Sequence, residues 1–465
     1  MDQSNPISRK TFRRRLEYMV NHLRRDIRDG LYKPGEYLPS ESELVVRFEM
    51  SNKSIRKGLE QLVAEGLIVK VDRVGSRITD PANGSLTTLT LGHHYSIERD
   101  IQLGLLLQDF QTLHPAIKVN TVLLSGISEG SNLQNGAIDV FTINNNEFMG
   151  LVDTDSTHLL EPLEKNSGLY PFANEAFEHG EEQLAQPVIF SPILLAYNRK
   201  HFIESNVPEP DGSWTWGQTI RHAAALTVPG RRYGLYFHLL ADNRWPAFLL
   251  QSGMRFEPDA KGSFQLAGTR LLDCIRLCKS IISNTDVFPN YMSENSNDVN
   301  ELFMQGRVSM IMTNYMTLNE IKHSDIRYDI SPLPYLFEPR SLLLVIGVAM
   351  SRNSKKKEAA RLFMEYLASP RAQSKIREHT LSLPALKEIA EQPASPSEVM
   401  NRPSRYYLFR EIMFSYRLHR ELNLPLHAYK YLRQILKQYW SNLITEEELC
   451  EQAKHLFGGA ASDGR

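Results

Sequence analysis

The run Asp80-Pro81-Ala82-Asn83-Gly84-Ser85 favours turns over continuation of a helix or strand, and it divides the chain into stretches of different periodicity. Before it, apolar residues recur at helical spacing. After it, short apolar strands alternate with helices. Charge divides at the same place. Residues 1–80 hold 16 Lys plus Arg against 12 Asp plus Glu, and the rest of the chain holds 37 against 42. With a net charge of −1 overall, no global field draws the protein to DNA or anionic lipid, so any such attraction is local to the basic amino-terminal unit. The expected boundaries are a head over 8–80, a linker over 81–85, a body over 86–455 and a flexible tail over 456–465.

Length and composition bound the remaining classes. A chain of 465 residues, 42% hydrophobic and 23% charged, is ordinary globular protein rather than a disordered or fibrous one. The longest nearly unbroken apolar stretch, Leu342 to Met350, is half of the ~18 residues that a membrane helix needs. Met1 to Val20 has basic residues but no apolar core and cleavage site of a secretory signal, so a cytoplasmic protein without a membrane partner is expected. Cys274, Cys278 and Cys450 are too few for a disulfide framework. Cys274 and Cys278 share a helical face, but no further Cys or His at ligand spacing completes a metal site, and small buried side chains are expected there.

In the head, Phe12, Leu16, Met19, Leu23 and Ile27 predict a first amphipathic helix, with Gly30 at its left-handed cap. Ser40 and Glu43 have capping-box spacing at the start of a short second helix. From Ser51 a third helix places Ile55, Leu59, Leu62 and Val63 on one apolar face and turns Asn52, Lys53, Arg56 and Lys57 to the opposite side. Leu67–Val71 and Ser76–Thr79 can pair as a hairpin tipped by Asp72, Arg73 and Gly75. A helix offering short polar side chains and Arg to base edges, with helix starts and a wing on phosphates, suits the major groove.

The ordered run Leu23-x-x-x-Ile27-x-x-Gly30-x-x-x-Pro34-Gly35-x-x-Leu38-Pro39-Ser40-Glu41, followed by Leu44, Phe48, Ser51, Ile55-Arg56, Leu59, Leu62, Glu65-Gly66-Leu67-Ile68 and Gly75, resembles the GntR family of winged-helix regulators. The resemblance implies binding to double-stranded operator DNA through Ser40, Glu41, Ser42, Ser51, Asn52, Lys53, Ser54, Arg56, Lys57, Arg73 and Gly75. Ser42 and Asn52 stand where the family usually has Arg, so the usual family operator is not expected.

The body reads as α/β: strand Leu86–Leu91, helix Ile101–Leu113, strand Ile117–Leu123 and strand Ala137–Ile143, with mostly parallel sheets. Its length suits two lobes with ligand held between them at strand carboxyl ends. His94 and Tyr95 follow one strand there, and Asn144 and Asn145 another. The landmarks Phe110-x-x-x-His114-Pro115, Ile138-Asp139-Val140, Leu160-x-Pro162-Leu163, Tyr197-Asn198-x-x-x-Phe202, Thr215-Trp216, Phe303-x-x-Gly306-x-x-x-Met310 and Glu358-Ala359-Ala360-x-x-Phe363 resemble the sugar-binding solute-binding proteins of bacterial importers. That resemblance implies a hinged clamp of the periplasmic-binding-protein type, and places the loop Asp242-Asn243-Arg244-Trp245 where such proteins often have a sugar-stacking aromatic, with Trp245 as that ring and Asn243 as a polar contact. Asn314 and Tyr315, after Ser309–Thr313, complete the expected ligand set. The amphipathic helices beyond residue 400 either finish the second lobe or form a dimer surface.

The reading is therefore a ligand-responsive regulator, expected to be a homodimer, whose effector is a sugar or related metabolite. Two alternatives stand beside it: a GntR-type unit fused to a pyridoxal-phosphate aminotransferase body, or a body that only dimerises. No convincing Schiff-base Lys with its Asp and phosphate loops occurs, nor a G-x-S-x-G elbow, an H-E-x-x-H helix or a P-loop. No catalytic residue, cofactor or metal is expected.

Overall fold

The computed structural model describes residues 9–28, 30–71, 74–79, 86–124, 136–393 and 400–458. The expected linker, Arg73 at the wing tip and residues 459–465 lie outside the described residues.

In the head, helices Arg9–Arg28, Glu41–Phe48 and Asn52–Ala64 precede an antiparallel pair, Ile68–Val71 with Gly75–Ile78. Met19, Leu23, Leu44, Ile55, Leu59 and Leu62 form its buried core. The capping box forms: the Ser40 N–H donates to Glu43 Oε2 at 2.7 Å, and the Glu43 N–H donates to Ser40 Oγ at 3.3 Å. The Ser40 N–H, together with the Ser40 hydroxyl that donates to Glu43 Oε2 at 2.9 Å, holds the Glu43 carboxyl below its ordinary value. The first and third helices meet at Gly58, where a Cβ would lie 1.9 Å from Met19 Cε, so a side chain there forces Met19 to move. Arg24 reaches buried Glu65 at 2.5 Å and ties the ends of the same two helices.

The body is a mixed sheet covered by helices. Thr87–His93 runs parallel to both Ile117–Leu123 and Val140–Asn144. Ser341–Met350 then pairs antiparallel with Val140–Asn144 on one side and with the long strand Gln186–Asn198 on the other. This corrects the expectation of mostly parallel sheets: Gln186–Asn198 and Ser341–Met350 run against each other and Ser341–Met350 against Val140–Asn144, while only the short Tyr416–Arg417 runs parallel to Ser341–Met350 among the described residues. Gln186–Asn198 serves both halves. Its residues 186–192 pair with Ser341–Met350, and beyond them it pairs with Val308–Asn314 and Tyr328–Ser331. The change of partner falls at Pro192, which lacks the N–H that a continuous central ladder would use. Ser191 compensates locally, accepting the Tyr315 N–H at 2.8 Å and donating to the Pro192 carbonyl at 2.9 Å. A two-lobed body results, with Tyr233–Tyr236 parallel to Val308–Asn314 in the second lobe.

Thr215 caps the helix Trp216–Leu226, and Trp216 packs beneath it, its indole N–H donating to Gln251 Oε1 at 2.9 Å. Helices Leu426–Trp440 and Glu446–Ala453 bury Leu432, Ile435, Leu436 and Leu449 in the same core, so the carboxyl-terminal helices complete this body. Leu456 is buried and Phe457 packs against the core, which carries the packed body past the boundary expected at 455. Cys274 and Cys278 are both buried on the helix Arg270–Ile282, and burial pushes the Cys274 thiol up to about 12. Among the described residues no helix is long and apolar enough to cross a membrane.

Asp109 clamps the first lobe's outer helices. Its carboxylate accepts two Arg371 bonds at 2.7 Å and the Tyr366 hydroxyl at 2.9 Å. Arg371, with smaller help from Tyr366, holds Asp109 down to about 2 against an ordinary 3.8. A depressed folded-state pKa adds stability that is complete above the unfolded value and fades as pH falls toward 2. Asp109→Asn is therefore expected to lower urea stability at pH 7 and to match the parent chain near pH 2. An unchanged difference between the two at both pH values contradicts this assignment.

Candidate ligand cleft and nucleic-acid face

Both lobes contribute loops at strand carboxyl ends to a cleft of about 520 Å3. One wall carries His94 and Tyr95 after the strand Thr87–His93, and Asn144, Asn145 and Glu147 where Val140–Asn144 passes into a helix. Asn144 caps that helix: its Oδ1 accepts the N–H groups of Asn146 and Glu147, both at 2.9 Å. The opposite wall carries His238, Asp242 and Asn243 beyond the strand Tyr233–Tyr236, Asn295 and Asn297 at a helix start, and Asn314 at the end of Val308–Asn314. Leu344 and Ile346 of the crossing strand also line the cleft.

A buried polar bridge joins the walls. Asn145 Oδ1 accepts the Val345 N–H at 2.9 Å, and its amide nitrogen lies 3.2 Å from His419 Nδ1. The other ring nitrogen of His419 lies 2.9 Å from the Asp242 carbonyl, so Nδ1 accepts and Nε2–H donates in the tautomer that satisfies both contacts. Burial lowers the pKa of His419, His94 and His238, which leaves neutral imidazoles able to donate and accept. Burial likewise raises Glu147, which accepts the Asn144 N–H at 3.0 Å. Asp242 pairs with Arg433 at 3.3 Å, and Arg99 bonds Asp100 at 2.7 Å and also bonds Glu320. Such a lining offers amides, carboxylates and neutral His to a hydroxyl-rich molecule.

Six of the eight expected ligand residues meet here: His94, Tyr95, Asn144, Asn145, Asn243 and Asn314. Trp245 and Tyr315 do not. Trp245 is buried under the loop, its ring 4.8 Å from Tyr429, and Tyr315 is buried with its hydroxyl donating to the Tyr406 carbonyl at 2.7 Å. Both fill the core beside the cleft. Sequence reasoning missed Arg99, His238, Asn295, Asn297, His419 and Arg433. His238 carried a usable signal, two residues beyond a strand end, whereas His419 and Arg433 arrive from a distant segment without one.

On the head, Ser40, Ser42, Ser51, Asn52, Lys53, Arg56, Lys57 and Gly75 are exposed, and Glu41 is half-buried. Arg56 Nε donates to Glu41 Oε2 at 2.7 Å, which joins the starts of the second and third helices on the outer face. Ser54 is instead buried in the cap of the third helix, its hydroxyl 2.8 Å from that of Ser51.

With this geometry in place, a family model described as "Bacterial extracellular solute-binding protein" matches residues 108–401. The chain belongs to this family. A second model, "Bacterial regulatory proteins, gntR family", matches residues 17–78, so this solute-binding family member carries a GntR DNA-binding domain. Neither is an enzyme family. Over 59 residues, 13% of this chain and 24% of the relative, it is 37% identical to the histidine utilization repressor of Klebsiella aerogenes. Over 213 residues, 44% of this chain and 51% of the relative, it is 25% identical to a putative binding protein of Brucella abortus. The chain thus spans about half or less of the curated relatives it matches. Among solved structures, an ABC substrate-binding protein from Listeria monocytogenes in complex with cycloalternan superposes with a TM-score of 0.66 at 19% identity, covering 80% of this chain and 98% of that one. A maltose-bound MalE3 from T. maritima gives 0.66 at 15% identity, covering 80% and 99%. These likenesses establish the fold of the body.

For this solute-binding family member, Asn145→Ala is expected to strand the buried Val345 N–H and His419 Nδ1, costing about 1–3 kcal/mol for each group left unsatisfied. Urea unfolding measures the loss. Parent-like stability contradicts the bridge.

Proposed function

We propose that the protein is a ligand-responsive transcription regulator: the head binds operator DNA, and the cleft binds a sugar or related polyhydroxylated metabolite. The observation that carries this reading is the presence, in one chain, of a GntR-family head and a two-walled cleft on a solute-binding fold. His94, Tyr95, Asn144, Asn145, Asn243 and Asn314 hold the ligand, the amides pairing its hydroxyls and Tyr95 giving an exposed ring to its C–H face.

Ligand drawn to both walls favours the closed arrangement of the lobes over the open one, by no more than its difference in affinity for the two. In a homodimer the closed form sets the spacing of two heads, and only one spacing fits two operator half-sites. Ser40, Ser42, Ser51, Asn52, Lys53, Arg56, Lys57, Arg73 and Gly75 supply the DNA contacts, with Glu41 orienting Arg56 and Ser54 fixing the helix cap. The region acts in the cytoplasm, where operator DNA is.

Thermal melting of the full chain against a panel of mono- and oligosaccharides tests the ligand class. A sugar at a hundred times its Kd stabilises the native state by about 2.7 kcal/mol, and that shift is expected to vanish in Asn243→Ala/Asn314→Ala. If no saccharide shifts the melt, the body is not a sugar sensor.

A further inference from the structure

A second and larger hollow, of about 1700 Å3, opens at the other end of the strand Val308–Asn314 from the cleft. The strand's seven residues place the two sites about 20 Å apart. Eight Lys and Arg line this hollow against two carboxylates, Glu204 and Asp325, in a body whose own charge balance is acidic.

The charges are not balanced from within. Glu204 takes Arg232 at 2.8 Å and Lys200 at 3.8 Å, and Glu209 takes Arg199 at 2.8 Å. Among the described residues, Arg231, Arg307, Lys322, Arg327 and Arg402 have no carboxylate partner. Lys322 is only 8% exposed, and its ammonium donates to the His379 carbonyl at 2.7 Å. Arg402 donates to the Arg377 carbonyl at 3.1 Å and lies 4.6 Å over the Tyr406 ring, while its Nε is buried with no hydrogen-bond partner among the described residues. Recessed cations without a carboxylate beside them bear a desolvation cost that an entering anion offsets.

We propose that this hollow is a second ligand site, for a small soluble metabolite bearing phosphate groups, separate from the sugar cleft. Arg231, Arg307 and Arg327 stand exposed around the hollow and attract the anion, while Lys322 and Arg402 meet its phosphate oxygens inside. A duplex lays its phosphates against an open face and does not reach a side chain as recessed as Lys322. A phosphorylated small molecule does.

Isothermal titration of pyrophosphate into the full chain, at fixed low salt, tests the site. Saturable binding is expected, weakened at least about tenfold in Arg231→Gln/Arg327→Gln. Both arginines are exposed and, among the described residues, make no side-chain bond, so an unchanged melting temperature is expected for that variant. Lys322→Met provides a second variant that removes the inner cation. The proposal is overturned if millimolar pyrophosphate gives no saturable heat, or if the arginine variant binds it as the parent does. It is also overturned if the variant loses affinity for random-sequence duplex DNA and not for pyrophosphate, because the hollow is then a nucleic-acid surface.

Discussion

Trp245→Ala is expected to cost about 3–5 kcal/mol of folding stability, the usual range for removing a buried Trp from a core. Trp245 is 1% exposed, opens the helix Trp245–Leu250 and packs its ring 4.8 Å from Tyr429. Tyr429 in turn donates to the Asp242 carbonyl at 3.0 Å, so this packed pair supports the loop that carries Asp242 and Asn243 into the cleft. Among the described residues the buried indole N–H has no hydrogen-bond partner. Trp245→Phe therefore sacrifices no hydrogen bond, keeps a ring against Tyr429 and is expected to cost much less than alanine. Urea unfolding of both variants measures the difference. Parent-like stability of the alanine variant, with only sugar affinity lost, would return Trp245 to the ligand set.

Arg56→Ala is expected to weaken specific operator binding roughly ten- to a hundredfold, the range for a side chain that reads a base edge. Its side chain is 63% exposed, and its 2.7 Å bond to Glu41 holds it at the junction of the two helices expected at the groove. With Asn52 and Ser42 where related heads usually carry Arg, Arg56 holds the remaining familiar position on that face. Titration against operator DNA at fixed salt measures the change, with random-sequence duplex as reference. An equal loss on both duplexes makes Arg56 a phosphate contact. No loss on either removes this face from recognition.

The head was legible because local chemistry and packing agree there: Ser40 and Glu43 cap, Gly30 adopts a positive φ of 75°, and the expected stripe is buried at Leu16, Met19, Leu23, Ile55, Leu59 and Leu62, although Val63 stands 37% exposed. In the body, Ile117–Leu123 followed from local pattern for the same reason. The crossing strand Gln186–Asn198 did not. Pro187 and Pro192 argue against a central strand; the exchange of neighbours accommodates Pro192, and Pro187 falls at the register shift between Ile346 and Gly347. Without that strand, antiparallel crossing was invisible. The cleft loops were legible where they follow strands, as with His94 and Asn144. Trp245 was misplaced because an aromatic beside Asp242, Asn243 and Arg244 looks like a sugar platform, while its burial depends on Tyr429, far along the chain. The Asn145–His419–Asp242 bridge depends on the same long-range closure.

The coupling of cleft to head is tested most directly by titrating the full chain onto its operator at fixed salt, with and without a saturating sugar identified by melting. The sugar is expected to shift operator affinity, and Asn243→Ala/Asn314→Ala is expected to bind operator equally with or without it. Operator affinity unmoved by a sugar that demonstrably fills the cleft would contradict the account.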